Sequence, residues 1–460
     1  MTTPRAAGVA VEPVRVGAPG GGPEAPASVA AMAVSETQWR GVARRRFWGL
    51  NLSHAVIDIF PIFTTTMMLV LEDRLHLTAK QIGVVYMITP IFSGGLQPFF
   101  AWLTDRYDTR VCAPLGLLLG AACLSSMGLA QNFWQLCALI IVGVIGTGMY
   151  HPIGAALAGQ IGGRAHLGRG WALALFFAAG MVGQALGPII SSRINAAYGL
   201  THLLWLVPPS AVVAVGLFFL LRRVPHRHDN HREMTGLIAR EERSARWVAV
   251  WLLGLQNCLR FIVNIGALVM FNVWAASKIP SSPALAAKLS GNLAAAMTVG
   301  MGVFGLLVGR YVRQGDEKKC LIVVSLVGAV FMGALSAVGD WGVSTAGGAW
   351  WGYWPAYLMA CLCAIGFGST IPLSISLAQR LLPGNTGLAS SLMMGAGWAV
   401  SALAPVIAPV FLGASIKEAP GLPAWRIDVA FACFGALLLG SAALTSMMSG
   451  KTLRGVADHR

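Results

Sequence analysis

Apolar residues in this chain run on for about twenty positions at a time and do so twelve times over. A stretch of that length matches the thickness of a bilayer's hydrocarbon core. In lipid every backbone N–H and C=O must be paired internally, which leaves helices or closed barrels. Barrel strands alternate apolar with polar residues, and these runs do not. The pattern therefore predicts twelve transmembrane helices. The first six cover 47–71, 82–104, 111–130, 133–158, 170–194 and 201–221. The second six cover 247–276, 290–313, 319–339, 351–379, 386–412 and 427–449.

Polar segments divide the chain around these spans. Residues 1–46 are rich in Ala, Gly, Pro and Val, carry no long apolar core and are expected to be a disordered tail. Residues 222–246 form the longest polar stretch between spans and are expected to link two six-helix halves, 47–221 and 247–449, with a short surface helix near Glu233–Ser244. A short tail follows at 450–460.

Composition agrees with the class. The chain is 56% hydrophobic and 11% charged, against about 25% charged residues in soluble domains. Of its 33 Lys and Arg, seven (Arg74, Lys80, Arg193, Lys278, Lys288, Lys417 and Arg426) lie in loops on the side opposite the termini. Arg260 lies inside a span, and the rest lie on the side of the termini. Basic loops stay in the cytoplasm, so both termini are expected there, in a multi-pass inner (plasma) membrane protein. The net charge of +15 reads as topology and attraction to anionic lipid rather than nucleic-acid binding. The eight cysteines form no CxxC pair or His/Cys cluster, so no metal or other cofactor is expected. There is no GxxxxGK[ST], GxSxG or HExxH motif, and no enzyme is expected.

The halves echo each other. Ile145–Ile161 aligns with Ile365–Leu381, matching Gly146, Gly148, Pro152, Leu157 and Ala158 to Gly366, Gly368, Pro372, Leu377 and Ala378. Gly170, Gly180 and Pro188 align with Gly387, Gly397 and Pro405. Ala101–Tyr107 aligns with Gly305–Tyr311, and His54 and Asp58 fall opposite Arg260 and Asn264. The matches keep one order along the chain, as two parallel six-span repeats would.

On these residues the sequence resembles a family. The loop Ala101–Arg110 is similar to the major facilitator signature GxLaDRxGRR: Asp105, Arg106 and Arg110 match, while Ala101, Asp108 and Thr109 depart. Its echo keeps Gly305 and Arg310, with Gly309 where the acid would stand. His54 and Asp58 early in the chain, and His151-Pro152 in the fourth span, resemble the fosmidomycin-resistance branch. Gly183-Gln-Ala-Leu-Gly187-Pro188 is similar to the family's antiporter motif, with Ser191 and Ser192 in place of its last glycines. The resemblance implies an all-α fold of two six-helix bundles rocking about a central cavity, driven by an ion gradient and usually by protons. It implies that Asp105, Arg106, Arg110 and Arg310 brace the gate, and that Gly183, Gly187 and Pro188 mark export. The plainer alternatives are a solvated turn for the loop and ordinary helix packing for the glycines.

Deep charges narrow the candidate site. Asp58 is the one acid far inside a span, 12 residues past Arg46, or about 18 Å along a helix. Arg260 is its basic counterpart, and a charge at that depth costs about 2.5–3.5 kcal/mol on insertion scales. Asp58 is expected to carry the coupling proton, with His54 one turn away sharing it. Arg260, His151, Asn264, Gln256 and Gln184 are expected to meet the substrate, with Asp58 and Arg260 on opposing cavity walls. The alternative is a fixed Asp58–Arg260 ion pair. Gln97, Asn257 and Asn272 are softer candidates, for which helix bridging is the plainer role. The expected partners are a small molecule, protons and the bilayer, with no nucleic acid and a monomer by default. The function that fits is proton-coupled efflux of a small polar, anionic or amphipathic molecule. A proton-coupled importer of an organic anion, and a membrane scaffold or sensor, are the alternatives.

Overall fold

The computed structural model describes residues 27–107, 109–165, 167–222, 240–281, 283–347, 349–414, 418 and 421–456. Among these residues there is no strand. Nine continuous spans are long and apolar enough to cross a bilayer: Cys112–Leu129, Phe133–Gly162, Arg169–Asn195, Leu200–Leu221, Glu242–Lys278, Leu289–Tyr311, Glu317–Thr345, Trp351–Leu381 and Ala424–Ser446. Thr386–Ser401 and Ala404–Leu412 form a tenth, bent by 51°. The first two spans complete the twelve, and both are interrupted.

Proline explains where the interruptions fall, because it cannot donate to the carbonyl four residues back. The first span is helical over Ala27–Ile57 and resumes as Phe63–Thr66 and Met68–Leu75; Pro61 has no N–H for the Ile57 carbonyl. The second runs Ala79–Ile88, widens to a π-helix over Thr89–Gly94 beginning at Pro90, and continues as Gln97–Arg106. The bend in the eleventh lies beside Pro405. The tenth span passes through 3-10 turns at Ala364–Gly366 and Gly368–Thr370, just before Pro372. The fourth and fifth spans instead stay helical through Pro152 and Pro188. The repeat thus keeps its prolines and differs in what they do.

Two expectations about the polar segments change. The helix beginning at Ala27 replaces the disordered tail over 27–46, and residues 1–26 lie outside the described residues. Of the surface helix expected at Glu233–Ser244, residues from Arg240 onward are helical, as the start of the seventh span. Residues 223–239 lie outside the described residues.

The hydrophobic core has three parts, and their membership fixes the shape. One cluster draws on both halves at the ends of the spans nearest the termini, joining Phe47, Ala158 and Ile161 to Leu377, Leu381 and Met393. The opposite ends carry two separate clusters. One belongs wholly to the first half, around Phe60, Leu124 and Leu203, and the other wholly to the second, around Phe271, Leu335 and Phe434. The halves are therefore sealed on the terminal side and have independent cores on the far side.

Small residues make the seal. A Cβ added at Gly94 of the second span would lie 2.7 Å from the Ala399 nitrogen and 2.8 Å from the Gly395 carbonyl of the eleventh. One added at Gly309 of the eighth would lie 3.1 Å from the Gly170 carbonyl of the fifth. Such residues let helix backbones approach closely in lipid, where packing replaces the hydrophobic drive. Gln379 adds a polar tie, donating to the Ala155 carbonyl across the halves (3.4 Å) and to Ser390 Oγ (2.9 Å).

Gly395→Leu would drive a side chain into Gln97 and the Gly94 carbonyl. Spin labels at Tyr107→Cys and Gln314→Cys, in a cysteine-free background, should then move apart by several ångströms. An unchanged separation would mean that these glycines do not form the seal.

Candidate functional site

The first span ends its regular helix at Ile57, so Asp58 is the first residue of the turn that follows. Its side chain is 4% exposed. It is surrounded by the first, fourth and fifth spans. His151 Nε2 lies 3.0 Å from Asp58 Oδ1. Gln184 Nε2 donates to Oδ2 at 3.3 Å, and His54 Nε2 lies 3.5 Å from Oδ2. The fifth span can come this near because it presents glycine. A Cβ at Gly180 would sit 2.6 Å from Asp58 Oδ2 and 2.7 Å from His54 Cε1, and one at Gly183 would sit 2.9 Å from the Ala55 carbonyl carbon. Gly187 packs in the same way against the Ile59 carbonyl (2.5 Å).

The far nitrogens of both imidazoles are held by backbone. His54 Nδ1 donates to the Phe176 carbonyl at 2.6 Å, with its ring stacked on the Phe176 ring at 3.8 Å. His151 Nδ1 donates to the Thr147 carbonyl at 2.7 Å. Tyr150 ties the same spans together, its hydroxyl 2.6 Å from Ser53 Oγ and donating to the Leu50 carbonyl (3.1 Å). The ligand atoms of His54, Asp58 and His151 lie within 4.8 Å of one another. The fourth polar group there is the Gln184 amide N–H, which points its hydrogen at the carboxylate. That suits a hydrogen-bonded carboxylate better than a metal-bound one.

Arg260 is buried in the second half, and its bonds run away from Asp58. Nε donates to Ser441 Oγ (2.9 Å) on the twelfth span, and Nη2 to Ser325 Oγ (2.7 Å) and the Leu321 carbonyl (3.0 Å) on the ninth. Gln256 joins this cluster by accepting from Ser441 Oγ at 2.9 Å. The expected placement of Asp58 and Arg260 on opposing walls changes accordingly. Each is held by partners within its own half, and no Asp58–Arg260 ion pair forms among the described residues. Asn264, one turn on from Arg260, is buried. Asn257 bridges to the Met393 carbonyl (3.1 Å), and Asn272 accepts from Ser290 Oγ (2.6 Å), both helix-bridging roles. Gln97 is buried between the second and eleventh spans.

The gate residues are reached in part. Asp105 and Arg106 close the helix Gln97–Arg106, but their side chains, like that of Pro188, lie outside the described set. Arg110 donates to the Arg222 carbonyl at 2.9 Å, within the first half. Arg310 lies over the Tyr311 ring, 5.8 Å from its centroid. Gly183 and Gly187 pack the fifth span on the first rather than one half on the other.

Sequence reading missed four participants. Two are the carbonyls of Phe176 and Thr147, which every residue possesses and no sequence marks. The third is Gly180, noted only as a repeat position. The fourth is the buried Glu317–Arg380 ion pair between the ninth and tenth spans. Its members lie at span ends, where they look like ordinary loop charges.

Comparison with known proteins follows the same lines. A family model described as Major Facilitator Superfamily matches residues 52–405. The fosmidomycin resistance protein of Escherichia coli K12 is 29% identical over 210 residues, 45% of this chain and 50% of that protein. Multidrug resistance protein MdtG of Enterobacter lignolyticus is 34% identical over 119 residues, 26% of this chain and 28% of that protein. The chain thus spans about half or less of the length of these curated relatives. Among solved structures, the proton:xylose symporter XylE superposes with a TM-score of 0.64 at 13% identity, covering 92% of this chain and 99% of that one. The human organic anion transporter MFSD10 does so at 0.57 and 16%, covering 88% and 99%. At such identities these two likenesses concern the fold alone.

Ser325→Ala would strand a buried guanidinium N–H, at a cost of about 1–3 kcal/mol. Thermal unfolding of the solubilised protein should show that loss. An unchanged midpoint would mean that the Arg260 guanidinium points elsewhere.

Proposed function

The chain belongs to the major facilitator superfamily, and from that premise we propose that it is a secondary transporter exporting a small polar or amphipathic molecule in exchange for protons. The observation that carries the coupling is the carboxylate of Asp58, deep in the first half and shared by two imidazoles and an amide. A carboxylate there can take or give a proton without breaking a structural ion pair, because among the described residues no Lys or Arg pairs with it. His151, at hydrogen-bond distance, can share that proton, and His54 lies beside the same carboxylate.

Export is supported by two features. One is the Gly183–Pro188 motif. The other is the likeness to proteins named for fosmidomycin and multidrug resistance. With both termini in the cytoplasm of the plasma membrane, as the Lys and Arg asymmetry indicates, the sealed side faces inward and the separated cores face outward. In an exporter that is the state that takes up a proton after releasing cargo. Asp105, Arg106, Arg110 and Arg310 would then brace the inner side, with Gly183, Gly187 and Pro188 fixing the pitch of the fifth span. The protein works as a monomer in this reading.

The argument for an anionic cargo shifts. It rested mainly on Arg260, whose Nε and Nη2 are held by the ninth and twelfth spans, leaving Nη1 as the one guanidinium nitrogen without a hydrogen-bond partner among the described residues. What remains are the two histidines, together with Gln184 and Asn264. The amphipathic reading therefore gains on the strictly anionic one.

Reconstitution into proteoliposomes with an imposed pH gradient tests the proposal, with organic anions and drugs screened as cargo. Wild-type protein should move at least one class of compound against its gradient, and Asp58→Asn should lose gradient-driven flux by an order of magnitude or more. Full flux in Asp58→Asn would remove Asp58 from the coupling role.

A further inference from the structure

The hydrogen bonds around Asp58 fix where protons can and cannot be. A backbone carbonyl only accepts. Because His54 Nδ1 faces the Phe176 carbonyl and His151 Nδ1 faces the Thr147 carbonyl, both Nδ1 atoms carry hydrogen. In the neutral rings both Nε2 atoms are then bare lone pairs, and both are aimed at Asp58. An ionised carboxylate is likewise an acceptor only. Three acceptors therefore converge within 4.8 Å. The 3.0 Å approach of His151 Nε2 to Oδ1 requires a proton between them.

The two histidines are not equivalent. His54 Nε2 is buried without a hydrogen-bond partner at 3.5 Å from Oδ2, and that oxygen already accepts from Gln184. Its ring is clamped flat against Phe176 (interplanar angle 16°), and its side chain is 2% exposed. The His151 side chain is 13% exposed, the widest opening of the three. We propose that His151 is the port through which the coupling proton reaches Asp58. His54 is a positioning residue that stays in one neutral tautomer throughout.

In this scheme a proton arriving at His151 Nε2 forms an imidazolium, whose new N–H donates to Asp58 Oδ1. Transfer along that bond leaves a neutral ring and a carboxylic acid; release reverses both steps. The titratable groups facing His151 are Asp58 and His54 on the first span and Tyr150 on its own. The fifth span brings the uncharged Gln184 to Asp58 and Phe176 and Phe177 to His54. Of these titratable groups, among the described residues, only Asp58 lies within hydrogen-bond distance of His151.

This assignment rests on the proton-coupled reading above, but its test needs no cargo. Full-length protein carrying 15N-histidine, reconstituted in lipid, reports the tautomer of each ring by solid-state NMR. Carbonyl-13C phenylalanine picks out His54 through its bond to Phe176, and carbonyl-13C threonine picks out His151 through Thr147, so assignment needs no variant. Both rings should be Nδ1–H tautomers at high pH. On acidification His151 Nε2 should gain a proton while His54 does not. In Asp58→Asn the His151 step should shift by at least one pH unit. A His54 ring that titrates, or an Nε2–H tautomer in either ring at high pH, overturns the assignment. Failure of every compound in the flux screen would count against the transport reading alone.

Discussion

A carboxylate about 18 Å into a bilayer-spanning helix must find hydrogen-bond donors among its neighbours, since water is scarce and the penalty for a bare charge is several kcal/mol. Much of the first half is arranged around that demand. The first span stops its regular helix at Asp58. The fifth span gives up side chains at Gly180, Gly183 and Gly187 so that its backbone can lie against the turn. The fourth turns His151 inward and anchors it on its own Thr147 carbonyl. Gln184 completes the shell. Each feature looks like routine helix packing until the carboxylate is considered, and then all of them serve it.

The second half answers the same problem differently at the equivalent positions. Where the first half has His54 and Asp58, the second has Arg260 and Asn264. Among the described residues no acid pairs with the guanidinium, whose Nε and Nη2 bond two serine hydroxyls and a carbonyl. Its partners do not titrate in any accessible range. The repeat has therefore diverged into one half whose deep polar cluster gathers a carboxylate and two imidazoles and one whose cluster gathers a guanidinium and hydroxyls. Arg260 pins the seventh span to the ninth and twelfth, which suits a rigid body against which the other half works.

The fold was legible in the sequence because bilayer thickness imposes a length that apolar runs must meet, and twelve runs met it. Asp58 and Arg260 were legible for the opposite reason: a charge is so costly at that depth that its mere presence is a signal. What could not be read was direction. Arg260 lies on a helix, and a shift of one residue turns a side chain by about 100°, so nothing in the run Gln256–Asn264 says whether it faces a cavity or its own bundle. Nor could the anchors of His54 and His151 be read, because they are backbone carbonyls, one on the fifth span and one a turn back on the fourth. Glu317 and Arg380 were hidden by position, since charges at span ends are the rule.

The seal on the terminal side has a further consequence. It is made where Gly94 meets Gly395 and Ala399, and where Gly309 meets Gly170, largely backbone against backbone. At these two crossings the spacing of the halves is set by residue size and backbone approach rather than by a charged pair. Size alone is then the constraint at these positions, and even one added methyl group would have to push the facing helix away.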